Sequence, residues 1–65
     1  MKPRYKIKEF RKELNMSQEE LANKAGISRA TLSKLESGRI VEVSTNTLSK
    51  IADALGKKAN EIFLA

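Results

Sequence analysis

The most informative stretch of the sequence is residues 17–37, which read SQEELANKAGISRATLSKLES. Ser17 followed by Glu20 is the pattern of a capping box, in which each side chain binds the backbone N–H of the other residue at a helix start. Gly26 suits the left-handed turn that ends a helix, and Ser28 is a good N-cap for the next one. The stretch therefore predicts two short helices joined by a tight turn.

The apolar residues of this stretch have the spacing of a helix-turn-helix, in which the second helix crosses closely over the first. Such a crossing needs a small residue in the first helix, a permissive and an apolar residue in the turn, and inward apolar residues on the second helix. The residues that meet these needs are Ala22, Gly26, Ile27, Leu32 and Leu35. These matches at fixed offsets predict a helix-turn-helix over about residues 17–37.

Helical periodicity also predicts a first helix that ends near Leu14. Its inward face, spaced i, i+3, i+4, i+7, consists of Ile7, Phe10, Arg11 and Leu14. Two alternatives exist for its start: either Pro3 lies in the first turn, or residues 2–6 form an extended arm.

After the helix-turn-helix, Ser44 is an N-cap for a helix over about residues 45–55. Its inward residues are Leu48, Ile51, Ala52 and Leu55. A short last helix is predicted over about residues 59–64, and because Lys58 is a poor N-cap we expect it to be frayed or 3₁₀. Residues 39–43 (RIVEV) are either a short strand or a packed loop.

Length and composition limit the functions open to the chain. Its 65 residues fit a single domain with one small core over residues 1–65. It has no Cys and no His, and no other polar cluster lies in a context suited to catalysis. We therefore expect no enzyme, no cofactor and no metal site. The chain lacks a signal peptide and an apolar run near the roughly 20 residues of a membrane helix, so we expect a cytoplasmic protein without a membrane partner.

The net charge of +5 is concentrated at one end of the chain. Residues 1–12 carry six Lys and Arg against Glu9 alone, whereas bases and acids cancel in residues 13–65. A basic end on a neutral body indicates a polyanionic partner, either nucleic acid or an anionic membrane surface. The alternative is a solvated basic terminus that only aids solubility.

Four segments of the chain resemble the Cro and phage-repressor type of helix-turn-helix family, also called the Xre family. They are residues 17–22, 25–29, 32–38 and 48–56. The resemblance covers about residues 7–63 and implies an all-α fold, a compact lambda-repressor-like bundle of four to five helices. It also implies a transcriptional regulator, here expected to be a repressor, that binds double-stranded DNA, usually as a homodimer. The connection between Gly38 and Leu48 departs from the family pattern because it lacks a proline.

The resemblance implies a recognition helix, about residues 28–36, that lies in the major groove. With its apolar residues inward, the expected base contacts are Arg29, Ala30, Ser33 and Lys34. Arg29 can fork onto guanine, and the Ala30 methyl suits a thymine methyl group. The alternative for Arg29 and Lys34 is a solvated helix face.

Phosphate contacts are expected mainly from helix ends, where free N–H groups and the helix dipole attract anions. The residues proposed for them are Ser17, Gln18, Ser28, Thr31 and Arg39. Lys6, Lys12 and Lys24 are expected to add diffuse attraction that weakens with salt. The family also pairs an Arg in the first helix with a Glu near the end of the recognition helix, so Arg11 and Glu36 are expected to form a structural ion pair.

The sequence is also compatible with partners other than double-stranded DNA. A homodimer would form through Phe63 and Leu64 or through an edge at residues 40–43, although these residues could instead complete a small core. Such a dimer would read a near-palindromic operator with recognition helices about 34 Å apart. The rival function is an antitoxin or protein-interaction module of the same fold. RNA binding is disfavoured because only Tyr5, Phe10 and Phe63 are aromatic.

Overall fold

The computed structural model describes residues 5–39 and 43–62. These residues form a bundle of five α-helices without a strand. The helices are α1 (Ile7–Glu13), α2 (Gln18–Ala25), α3 (Arg29–Ser37), α4 (Thr45–Leu55) and α5 (Ala59–Ile62). The predicted all-α, lambda-repressor-like bundle is therefore confirmed, with α2 and α3 as its helix-turn-helix.

Local capping bonds set the limits of α2, α3 and α4, as the sequence predicts. Each of these helices follows a serine whose Oγ accepts the backbone N–H three residues later, at 3.0–3.1 Å. The serines are Ser17, Ser28 and Ser44. At the other end of α2, Gly26 has a φ of 71°, a left-handed conformation that a residue with a Cβ rarely adopts. That turn redirects the chain so that α3 crosses α2.

α1 ends at Glu13 with Leu14 as its C-cap, which confirms the predicted end near Leu14. The prediction that Leu14 faces the core is wrong, because its side chain is 50% exposed. Asn15, with a φ of 55°, then turns the chain back, and the Met16 N–H donates to the Arg11 carbonyl at 3.0 Å. Met16 consequently packs against the core in the role expected of Leu14.

Of the two alternatives predicted for the last helix, frayed or 3₁₀, the 3₁₀ helix is wrong. Residues 59–62 are α-helical. The backbone N–H of Lys58 donates to Oε2 of Glu61 at 2.7 Å, which is half of a capping box. An acid three residues into the helix thus compensates for the poor cap at Lys58. The remaining predicted residues of this helix, 63 and 64, lie outside the described ranges.

The core is built from aliphatic side chains of all five helices. α2 packs against α3 and α4, α1 against α3 and α4, and α5 against α4. The largest fully buried side chains are Ile7, Leu21, Leu32, Leu35, Ile51 and Ile62. Burial of each such side chain contributes about 1.5–3 kcal/mol relative to leaving it in water. The core therefore holds α3 at a defined angle to its neighbours.

The residues just before α1 are bonded to the end of α5. α1 begins at Ile7, and the alternatives predicted for its start, Pro3 in the first turn or an extended arm over residues 2–6, lie mostly outside the described residues. Tyr5 is only 5% exposed and belongs to the core, and the Lys6 backbone N–H donates to the Ile62 carbonyl at 2.8 Å. Residues 40–42 fall outside the described part, whereas Val43 beside them packs against the core.

The described body measures 23 × 22 × 21 Å along its principal axes. Its longest helix, α4, has 11 residues, and no described helix is long and apolar enough to cross a membrane.

Candidate nucleic-acid interface

α3 has one buried and one exposed face. Leu32 and Leu35 are fully buried because they lie on the side that crosses α2. All four residues predicted to contact bases are exposed on the same helix, namely Arg29, Ala30, Ser33 and Lys34. Their side chains combine two long cationic groups with two small ones. Such a surface can enter the major groove closely and still reach guanine acceptors at two points.

The start of α3 has no negative charge. The Ser28 Oγ accepts the Thr31 backbone N–H at 3.0 Å, and the Ser28 hydroxyl is 2.8 Å from the Thr31 Oγ1. The first turn contains no acid. The positive end of the helix dipole is therefore uncompensated by a carboxylate, which favours an approaching anion such as phosphate.

The start of α2 carries two acids. Oγ of Ser17 accepts the Glu20 N–H at 3.0 Å, and Oε1 of Glu20 accepts the Ser17 N–H at 3.1 Å, which completes the predicted capping box. Glu19 adds a second carboxylate to the same turn. Ser17 is exposed, so its hydroxyl can still donate a hydrogen bond while its oxygen serves as the cap.

Arg39 lies at the far end of α3, immediately after Gly38. Its backbone N–H donates to the Lys34 carbonyl at 3.0 Å, and its side chain is exposed. The helix ending therefore fixes the backbone from which the guanidinium extends. Together with Ser28 and Thr31, this residue places polar or basic groups at both ends of α3.

Arg11 and Glu36, which the sequence analysis pairs, form a bidentate ion pair between α1 and α3. Nε of Arg11 is 2.9 Å from Oε2 of Glu36, and Nη2 is 3.0 Å from Oε1. Nη1 donates to the Met16 carbonyl at 2.7 Å. The two side chains are 10% and 4% exposed, so all three guanidinium nitrogens act inside the fold. This geometry assigns Arg11 a structural role.

Sequence reasoning missed one contact at this site. Nε2 of Gln18 donates to Oε1 of Glu36 at 3.2 Å, which links the start of α2 to the last turn of α3. The residues are 18 positions apart, and neither local pattern nor composition points to their meeting. The only available signal was that Gln18 and Glu36 lie at the ends of two helices predicted to cross.

The residues predicted for a dimer interface lie mostly outside the described residues. They are Phe63 and Leu64, and residues 40–42 of the alternative edge at 40–43. Within residues 5–39 and 43–62, no group of three or more metal-ligating side chains is arranged around a common point.

Known proteins are similar to this chain in sequence and in the arrangement of their helices. A family model described as helix-turn-helix matches residues 7–62. An HTH-type transcriptional regulator of Archaeoglobus fulgidus is 43% identical over 61 residues, which cover 94% of this chain and 84% of that protein.

Two solved structures of SinR, a Bacillus subtilis protein, share 34% identity with the chain. A crystal structure of SinR, the master regulator for biofilm formation, in complex with DNA has a TM-score of 0.82. The match covers 85% of this chain and 87% of the matched chain in that structure. A complex of SinR with the SinI protein has a TM-score of 0.83, and the match covers 86% of this chain and 54% of the matched chain in that complex.

Proposed function

The chain belongs to the helix-turn-helix family of DNA-binding transcriptional regulators, and from this premise we propose that it is a sequence-specific repressor whose α3 reads the major groove. The observation that carries the proposal is the exposed face of α3, where Arg29 and Lys34 project from a helix whose other side is locked into the core. A rigid scaffold of this kind keeps base-reading groups in register with the duplex. Family membership points to a DNA-binding regulator rather than an enzyme.

Base recognition is assigned to the exposed residues of α3. Arg29, in the first turn, donates two hydrogen bonds to the O6 and N7 of a guanine. Ala30 contacts a thymine methyl group, and Ser33 donates to or accepts from a neighbouring base edge. Lys34, farther along α3, reaches a second guanine or a phosphate. The exposure of all four side chains supports this assignment.

Phosphate recognition is assigned to residues around the two helix starts and the end of α3. The set is Ser17, Gln18, Ser28, Thr31 and Arg39. The acid-free first turn of α3 and the exposed Arg39 support it, because both favour an anion. The exposed Lys6, Lys12 and Lys24 add long-range attraction that increases the rate of encounter and weakens with salt.

The proposal includes a homodimer on a near-palindromic operator, which is the usual arrangement in this family. Two half-sites on one face of the duplex lie about 34 Å apart, one helical turn. The principal-axis extents of the described body, 23 × 22 × 21 Å, are compatible with one copy on each half-site. We expect the protein to act in the cytoplasm at the nucleoid.

A second candidate function is that of a protein-interaction module, such as the antitoxin of a toxin–antitoxin pair. The observation that favours it is the structural similarity to SinR bound to SinI, a complex of this fold with another protein. The two functions are compatible on different surfaces. An adjacent reading frame that encodes a small toxin, which copurifies with this chain, would distinguish the antitoxin from a regulator that binds only DNA.

Selection from a pool of random duplexes tests the main proposal. We expect enrichment of a motif with a fixed G·C pair in each half-site and two inverted half-sites about one turn apart. A lack of any enriched sequence would overturn sequence-specific recognition. Enrichment of single half-sites only would support base recognition by α3 and overturn the proposed homodimer.

A further inference from the structure

One carboxylate connects three helices at the edge of the proposed DNA interface. Glu36, in the last turn of α3, accepts two hydrogen bonds from Arg11 of α1, at 2.9 and 3.0 Å. Its Oε1 also accepts a hydrogen bond from Nε2 of Gln18, the first residue of α2, at 3.2 Å. The position of the Gln18 amide therefore depends on a buried ion pair.

The bond to Glu36 leaves the Gln18 amide with further capacity. An amide nitrogen carries two N–H donors, so this bond uses one of them. Gln18 is half-buried and follows Ser17 at the start of α2, where the proposed function places a phosphate contact. The second N–H can accordingly donate to a phosphate oxygen.

We propose that Glu36 is a positioning residue for DNA binding, because it holds the Gln18 amide in the conformation in which the second N–H meets a phosphate. The proposal rests on the proposed function. A glutamine free in solvent samples several rotamers, and fixing one of them costs entropy. In this fold the cost is met when the protein folds rather than when it binds DNA, which favours binding.

The ion pair also explains how an acid can act beside a polyanion. An isolated carboxylate near phosphates would repel them. Arg11 neutralises Glu36 through two hydrogen bonds, and the Glu36 side chain is only 4% exposed. Glu36 thus provides an acceptor for Gln18 without presenting a net negative charge to the duplex.

A double-mutant cycle tests this role. Gln18→Met keeps the length of the side chain but removes its donors, and Glu36→Met keeps the length of that side chain but removes both acceptor oxygens. Affinity is measured by fluorescence anisotropy on a mixed-sequence duplex of roughly 20 base pairs, two helical turns. All measurements are made at low salt, at a temperature where circular dichroism shows every variant folded.

We expect Gln18→Met to weaken binding about tenfold, as loss of one hydrogen bond to a charged group would. Glu36→Met should weaken binding in the wild-type background and have no further effect when Gln18 is already Met. Asn23→Ala, which removes an exposed amide near the other end of α2, should leave affinity unchanged. Because glutamine is neutral, Gln18→Met should also leave the salt dependence of binding unchanged.

Independent effects of the two substitutions, or wild-type affinity in Gln18→Met, would overturn the positioning role while leaving DNA binding intact. Failure of the wild-type chain to bind any duplex would instead overturn the proposed function. If Glu36→Met does not fold, the two side-chain amide protons of Gln18 in the wild-type protein are followed by NMR. We expect one proton shifted downfield by the carboxylate before DNA is added, and the other to shift on addition. Two protons with free-glutamine shifts, or no change with DNA, would overturn the proposal.

Discussion

The two helices of the helix-turn-helix begin with the same serine cap and differ in the residue three positions later. In α2 that residue is Glu20, which closes a capping box next to Glu19. In α3 it is Thr31, whose side chain bonds to the Ser28 hydroxyl, and the first turn contains no acid. The starts of α2 and α3 thus share the serine cap but carry opposite local charge.

This difference separates stability from binding. A carboxylate in the first turn stabilises a helix through its dipole and would also repel a phosphate. The first turn of α2 has acids, whereas the first turn of α3 has Thr31 and the exposed basic residue Arg29. The only acid of α3, Glu36, is buried against Arg11. The proposed recognition helix is therefore the one whose exposed surface bears no negative charge.

The largest effect is expected from Glu36→Ala, because Glu36 contacts both helices of the comparison. The substitution leaves the Arg11 guanidinium buried without its counter-charge, which should lower the free energy of unfolding by about 3–5 kcal/mol. Thermal denaturation followed by circular dichroism measures this loss. The exposed acid Glu13 provides the control, since Glu13→Ala should change stability by less than about 0.5 kcal/mol. An unchanged melting temperature in Glu36→Ala would refute the structural role of the pair.

A smaller effect, on affinity alone, is expected from Arg29→Ala on the exposed face of α3. Loss of a bidentate contact to guanine should cost about 1–3 kcal/mol on the selected operator and relax the preference at one base pair. Binding to operators with each base pair replaced in turn measures both effects. Lys24→Ala removes an equal charge from α2 and should not alter sequence preference. If Arg29→Ala weakens all sequences equally, the residue contacts phosphate and not a base.

The substitution Thr31→Glu removes the difference in charge between the two helix starts, because it gives α3 the capping box of α2. Stability should change by less than about 1 kcal/mol because Ser28 remains the N-cap. DNA affinity should fall by about 1 kcal/mol on every sequence, since the new carboxylate lies near phosphates. The reciprocal change Glu20→Thr should not weaken DNA binding. Equal affinities for wild-type and Thr31→Glu would show that charge at this turn does not matter.

The smallest effect is expected from Arg39→Ala, beyond the end of α3. The exposed guanidinium should contribute less than about 1 kcal/mol, without distinguishing between sequences. Its removal should reduce the slope of log affinity against log salt by about 0.9, the value for one phosphate contact. Titrations at several salt concentrations measure the slope. A steeper or unchanged slope would exclude a phosphate contact by Arg39.

Local signals account for most of what the sequence could predict about the fold. The starts and ends of α2, α3 and α4 depend on bonds between residues three to five positions apart, so serine caps and terminal glycines identify them. The exposed face of α3 follows from its buried leucines and the helical period. The charge of the proposed site therefore follows from the sequence without the tertiary structure.

Predictions failed where a hydrogen bond between nearby residues overrides the pattern of apolar spacing or cap type. Leu14 has the spacing of a core residue, yet the turn at Asn15 and the bonds of Arg11 bring Met16 inward instead. Lys58 is a poor cap by type, and Glu61 compensates for it. In both places a bond outside the periodic pattern decided the outcome.

The family, the number and limits of the central helices, and the exposed residues of α3 all follow from local sequence patterns. The contacts of Gln18 with Glu36 and of Lys6 with Ile62 depend on how the helices pack. Capping and periodicity act within one or two helical turns, whereas these contacts join residues far apart in the chain and require helices to cross at a particular angle. That angle is set by the packing of the whole core.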